Sequence, residues 1–362
     1  MSVVPKIDGA AVGDAERRLA RSPAAAKVVL RLGPLFGSGG NAGSRLLRDP
    51  CTIVRPRRMM PSPTGTAPMP RPEPLRDAIA RHAPRDGTFD CAIAGAKLIR
   101  CSAPTMPMPV IYEPTVCFVA QGRKRASLGE SVLHYDPANY LLASVGLPVM
   151  GSVVEASAAH PYLCLQLDLD PAVLAELALK FPRTAAADSV ASGLTLGRTT
   201  PALLDAATRL VSLLDTPDDI EALGPLATRE ILYRLLTGPS GGVIRAMTQA
   251  DSRQGQIARA ILWLRANFTQ VCRIDEVARV AGMSRSAFHE HFKAVTAMSP
   301  LEFRTQLRMQ ESRRLMVADG LDAASAGYQV GYDSPSQFSR DYSRLFGSPP
   351  AQDARRLRAV GD

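Results

Sequence analysis

The stretch 251–362 spells the same short grammar twice, fifty residues apart, and this internal repeat restricts the chain more than any other feature. The first copy reads Ile274-Asp275-Glu276-Val277-Ala278-Arg279-Val280-Ala281-Gly282-Met283-Ser284, then Arg285-Ser286-Ala287-Phe288-His289-Glu290-His291-Phe292-Lys293. Small Ala278 lets two helices cross closely, Gly282 supplies a turn conformation that a side chain disfavours, and Ser284 is placed to cap the second helix. Phe288 and Phe292, four apart, then face a core, which leaves Arg285, Ser286, His289 and Lys293 to face a groove. The second copy runs from Ala323 through Gly331-Tyr332-Asp333-Ser334 to Phe346-Gly347, with Phe338 standing where Phe288 stood. A helix from Ser299-Pro300 to Asp319-Gly320 joins the copies, and another from about Gln254 to Asn267, carrying Ile257, Ile261 and Leu264, precedes them. One helix-turn-helix alone is a weak signal; two in tandem around a Pro-started helix are far more specific.

The charge distribution agrees with that reading. The formal net charge is +9 over 362 residues. By segment it is +8 for residues 1–71, −4 for 72–252 and +5 for 253–362. Of the two basic ends, only the C-terminal one also has regular apolar periodicity, as suits an anion-binding module joined to a part that reads something else. The chain is long enough for two domains with separate cores. Six scattered cysteines with no C-x-x-C pair imply a reduced, cytoplasmic protein, and no apolar run approaches a membrane span or a signal peptide.

Four regions are expected: 1–71, 72–170, 171–250 and 251–362. Residues 1–71, rich in Pro, Gly, Ser and Arg, read either as a disordered tail or as sequence upstream of a true start at Met59 or Met60. From Pro72 a helix is expected with Leu75, Ile79 and His82 on one face. Strand-like runs follow at Leu98–Cys101, Thr115–Ala120, Arg125–Leu128, Ser131–Tyr135, Asn139–Ser144, Val149–Glu155 and Tyr162–Leu167, the pattern of an antiparallel barrel or sandwich. The charge run Arg123-Lys124-Arg125 reads as a solvated turn, and Met106-Pro107-Met108-Pro109 as a loop. After Asp170-Pro171 helical spacing takes over, around Leu174, Leu204 and Leu226–Leu236, as either a dimer seam or core.

The run Gly331-Tyr332-Asp333-Ser334-Pro335-Ser336-Gln337-Phe338-Ser339-Arg340, followed by Phe346-Gly347-Ser348-Pro349-Pro350, resembles the signature of the AraC/XylS family of transcription regulators, over residues 255–358. The middle region, through Glu113–Lys124, Tyr135–Leu141 and Leu236–Pro239, is similar to the N-terminal domain of one subgroup of that family. The resemblance implies an α+β chain: a cupin-like antiparallel β-barrel that binds an effector, a helical dimerisation element, and an all-α tandem helix-turn-helix domain. It implies promoter DNA, RNA polymerase, an unidentified small molecule and a second copy of the chain as partners, with activation as the output and no cofactor. Carried over residue by residue, it places Ser286, His289 and Glu290, and Ser336, Ser339 and Arg340, on base edges. With Arg285 and Gln337 these make the expected base-contacting set; Ser284, Lys293, Arg304, Ser334 and Arg344 make the expected phosphate-contacting set. Two departures stand out. Glu290 is acidic where basic or amide residues are common and could accept from cytosine N4. Gly327 replaces the usual Ala and should loosen the second unit, since Gly in a helix costs roughly 1 kcal/mol.

Other chemistry is thin. His289 and His291 point apart at i, i+2, and His134 and His160 lack a third ligand, so no metal site is expected. Cys117 is the one candidate for effector contact, weighed against a buried small core residue. Two rival classes stay open: a cupin-type enzyme with a DNA-binding tail, which needs a ligand cluster the sequence lacks, and a non-specific architectural DNA-binding protein. The reading preferred to both is a non-enzymatic regulator.

Overall fold

A computed structural model describes residues 71–182 and 192–361. The expected tail or alternative start therefore falls almost wholly outside the described residues. The first element, α1 (Glu73–His82), follows Pro72 and buries Leu75 and Ile79. His82, at the end of that face, has its Nε2 2.8 Å from Asp215, on a helix end where a basic group is favoured.

Ten strands follow among the described residues: β1 (Gly87–Asp90), β2 (Ala96–Cys101), β3 (Met108–Tyr112), β4 (Thr115–Gln121), β5 (Arg123–Leu128), β6 (Ser131–Tyr135), β7 (Asn139–Ala143), β8 (Leu147–Glu155), β9 (Tyr162–Asp168) and β10 (Leu194–Arg198). They form a six-stranded sheet in the order β1-β2-β9-β4-β7-β10 and a four-stranded sheet in the order β3-β8-β5-β6. Every pairing is antiparallel. The sheets pack face to face without closing into the expected barrel. Cys117, Val119, Tyr162 and Cys164 of the larger sheet share a core with Ala126, Leu128 and Val149 of the smaller. The alternate residues Val116, Phe118, Leu163 and Leu165 share a second core with the helices. Burial on both faces explains why β4 and β9 read as continuous apolar runs.

Two local expectations are corrected. Arg123-Lys124-Arg125 opens β5 instead of forming a turn, and Lys124 lies on the inner face, its Nζ 5.6 Å from the centre of the Tyr112 ring. Met108 and Pro109 belong to β3, an edge strand where a proline costs no ladder hydrogen bond.

The helices α2 (Pro171–Lys180), α3 (Pro201–Ser212), α4 (Ile220–Thr237) and α5 (Gly241–Thr248) cover the larger sheet. Asp170 caps α2 and Thr200 caps α3, each just before a proline at the first helical position. Ile231, Leu232, Leu235 and Leu236 of α4 are fully buried, so this half of the helix is core, whereas Leu223 and Leu226 are exposed. The C-terminal domain comprises α6 (Arg253–Asn267), α7 (Ile274–Ala281), α8 (Arg285–Thr296), α9 (Pro300–Ala318), α10 (Ala323–Gln329), α11 (Pro335–Phe346) and α12 (Pro350–Gly361). No helix among the described residues is long and apolar enough to cross a membrane.

Candidate nucleic-acid interface

The first helix-turn-helix is α7–α8. Gly282 ends α7 in the left-handed region at φ 69°, a conformation that penalises any side chain, and Ser284 caps α8 by accepting from the Ala287 N–H. Phe288 and Phe292 are fully buried and stack edge-on, centroids 5.3 Å apart. With those rings turned inward, Ser284, Arg285, Ser286, Glu290 and Lys293 are exposed and His289 is half-exposed. Arg285 reaches Asp275 of α7 at 3.5 Å across solvent, a contact weak enough to be surrendered to a phosphate or base.

The second unit, α10–α11, repeats the arrangement. Asp322 caps α10 and Ser334 caps α11, accepting from the Gln337 N–H at 3.4 Å. Phe338 and Tyr342 are buried; Ser336, Gln337, Arg340 and Arg344 are exposed, with Ser334 and Ser339 partly so. Asp341 is already engaged, accepting from the Tyr332 hydroxyl at 3.0 Å and pairing with Arg344 at 2.9 Å. Arg340 therefore carries no ion pair among the described residues, and its guanidinium is available for another acceptor. Gly327 is not the weak point that its replacement of Ala suggested. A Cβ there would lie 2.9 Å from Cγ of the Phe338 ring, so glycine is what allows α10 to sit against α11.

The connecting helix α9 begins in a full capping box between Ser299 and Glu302. Its Arg308, which the sequence reading did not single out, donates to the carbonyls of Phe268, Thr269 and Gly331 at 2.6–3.0 Å. It thereby ties the loop ahead of the first unit to the turn of the second. Burial holds its pKa below the usual arginine value. Its only sequence signal is an arginine flanked by Leu307 and Met309 and two turns ahead of Leu315, on a helix that must bury much of its surface. Arg304, expected at phosphate, departs from the others: it is half-buried and donates to the Gln270 carbonyl at 3.2 Å. The exposed residues of α8 and α11 thus present two short polar faces on one braced support, a form that suits two adjacent stretches of major groove.

The β-sandwich offers a different kind of chemistry. Cys117 is buried, and its neighbour Cys164 together with burial pushes its thiol well up. Cys117 is packed in the core between the two sheets. Cys164 shares the site, with Lys124, Tyr112, Tyr135 and Tyr162 around the pair. No group of three or more His, Cys, Asp or Glu among the described residues is placed to hold a metal ion.

A paired helix-turn-helix module on a β-sandwich with a helical cover defines a class of DNA-binding regulator, and comparison with known proteins agrees. Residues 92–243 match the family model described as "AraC-type transcriptional regulator N-terminus" and residues 277–356 match one described as "Helix-turn-helix domain". The chain belongs to the AraC family of transcriptional regulators. It is 24% identical over 149 residues to the HTH-type transcriptional regulator ArgR of Pseudomonas aeruginosa, covering 41% of this chain and 45% of that protein. It is 25% identical over 153 residues to the virulence regulon transcriptional activator VirF of Yersinia enterocolitica, covering 42% and 56%. The chain thus spans about half the length of the curated relatives it matches. Among solved structures it is similar to ToxT from Vibrio cholerae, with 11% identity, 72% of this chain and 96% of that one covered, and a TM-score of 0.47.

Proposed function

We propose that this protein is a cytoplasmic, sequence-specific DNA-binding transcription regulator that activates its promoter in response to a small-molecule effector. The observation that carries the reading is the pair of exposed recognition faces, on α8 and α11, held by α9. Arg285, Ser286, His289, Glu290, Ser336, Gln337, Ser339 and Arg340 read bases, with Arg340 donating to guanine and Glu290 accepting from cytosine N4. Ser284, Lys293, Ser334 and Arg344 contact phosphates and set the register; Arg304 serves chiefly to brace the loop at Gln270.

Effector control is supported by how the first unit is attached. The Gly193 N–H donates to the Val295 carbonyl at 2.8 Å at the end of α8, and the turn at Gly129 rests against Ala297 just beyond it. Gln254 of α6 donates to the buried Ser144 hydroxyl, and Arg265 forms a bidentate ion pair with Glu113. A change in the sandwich therefore acts directly on the first recognition helix. Pairing of two copies through the exposed Leu223–Leu226 side of α4, and contact with RNA polymerase, complete the proposal.

Footprinting on the DNA flanking the protein's own gene, at physiological salt with random competitor, tests it. Protection of a discrete site with two major-groove contacts about one helical turn (~34 Å) apart is expected. Uniform protection of any duplex would overturn the specific reading in favour of an architectural one.

A further inference from the structure

The space between the two sheets is filled by side chains, with Tyr112, Tyr135 and Tyr162 all buried there. A roomier, apolar cavity of about 600 Å³ lies elsewhere, on the outer side of the larger sheet where the end of β9 and the start of α2 meet α4. Its volume is within the range of small-molecule sites, roughly 300–1,000 Å³. Ile93, Leu169, Val173 and Ile220 supply its apolar wall.

The polar groups on that wall are nearly all acceptors. Asp168 has no ion pair or hydrogen bond from its carboxylate among the described residues, and burial raises its pKa. The nearest lysine, Lys97, is held 3.1 Å from Asp90. Glu221 contributes a second carboxylate. Its carbonyl also lacks the usual helical donor, because the residue four positions on is Pro225, which has no N–H. Among the described residues the one cation on the wall is Arg229, which is held by both oxygens of Glu176 at 2.6 and 2.8 Å. Gly224 forms part of the floor: a Cβ there would meet only Ile220 Cγ2, at 3.7 Å, with space above it.

We propose that this cavity binds an amphiphilic amine, an aromatic or aliphatic body in the apolar pocket with its ammonium group on Asp168 and the Glu221 carbonyl. The inference deepens the effector reading by naming a site and a ligand class, and rests on that reading for its biological role alone. A cation here meets two carboxylates and a carbonyl, whereas an anion meets the same carboxylates and a guanidinium already paired with Glu176. The occupied cavity would pin the proline-interrupted start of α4 to the sandwich, and the same helix continues into the buried core at Ile231 and Leu235.

The test is isothermal titration of the full chain, without DNA, with 1-naphthylmethylamine, and with the isosteric 1-naphthalenemethanol and the anionic 1-naphthylacetic acid as controls. The amine is expected to bind saturably below about 1 mM, and the acid and alcohol at least about tenfold more weakly. G224L, which fills the floor and favours helix, should abolish binding. D168N, a change at the rim that leaves the packing alone, should weaken amine binding about tenfold. No saturable binding, acid binding as tight as the amine, or unchanged binding in D168N would each overturn the proposal. Because no DNA is present, failure here leaves the DNA-binding reading standing, and a featureless footprint leaves this site standing.

Discussion

The two helix-turn-helix units share a grammar but not a foundation. The first draws its stability from a neighbour: Ile257, Phe288, Phe292 and Val295 lie in one continuous core with Leu147 and the inner face of the sandwich. The second has a small core of its own, built on Met309, Leu315, Phe338 and Tyr342, and closes it with charge. At its base Asp353, fully buried, accepts from Arg313 at 2.8 Å, Arg356 at 2.7 Å and the Tyr342 hydroxyl at 2.9 Å. Burial and Asp353 together raise the pKa of that tyrosine. One repeat is therefore positioned by the β-sandwich and the other by a polar network. A ligand-driven change in the sandwich should move the first recognition helix relative to the second, not the pair together.

The largest expected effect tests the polar foundation. Asp353→Ala leaves the largely buried Arg313 guanidinium and the Tyr342 hydroxyl without their acceptor and should cost about 3–5 kcal/mol. Hydrogen exchange should show the loss concentrated in α10–α12, with α7–α8 protected as before. Equal loss of protection in both units would mean that they unfold as one and that the contrast is false. Next comes Gly327→Ala. Helix propensity alone favours alanine by roughly 1 kcal/mol, but the Cβ would press on the Phe338 ring, and overpacking of this kind costs about 1–3 kcal/mol. Net destabilisation in urea unfolding is expected; a more stable variant would show that α10 can back away from α11.

How much of this was legible in the sequence follows from which interactions are local. Caps and turns are: Ser284, Gly282, Ser299-Pro300 and Ser334 act within a few residues of themselves, and each does what its type and position predict. Seven of the strands were read as apolar runs between turns. The three that were not, β1, β3 and β10, are short or carry Gly or Pro, and β3 and β10 are each fixed by a neighbour distant in the chain. The same holds for the site. The exposed faces of α8 and α11 follow from the spacing of buried phenylalanines, but the roles of Arg304 and Arg308 depend on carbonyls 23 to 40 residues away. Gly327 shows the limit most clearly, because a propensity scale sees a cost where the facing ring makes glycine a requirement.

Within the proposed DNA-reading faces, the contrast is between a proposed base contact and a proposed phosphate contact. Arg340→Ala should weaken binding by about 1–3 kcal/mol and relax preference at one base pair. Lys293→Ala should weaken binding to all sequences alike and reduce the salt slope by about one. Equilibrium binding to the footprinted site and to single-base variants, across a salt series, separates the two. A sequence-selective loss in Lys293→Ala, or a uniform one in Arg340→Ala, would exchange their roles.

The smallest effect probes the seam between the sandwich and the first unit. Gln254 is buried and donates to the Ser144 hydroxyl, whose backbone N–H in turn donates to the Gly193 carbonyl. Gly193 is the residue that donates to Val295 at the end of α8. The seam is thus a chain of hydrogen bonds ending on a recognition helix. Gln254→Ala removes one link and leaves the Ser144 hydroxyl its contact with Gly193, so the stability loss should be only about 1 kcal/mol. Its effect on coupling should be larger than its effect on stability. Hydrogen exchange in α8 should rise while α11 is unchanged, and affinity for a site containing only the second half of the footprint should stay at the wild-type value. A matching rise in α11 would show that the connecting helix α9 transmits the disturbance, and that the two units are one rigid body despite their separate cores.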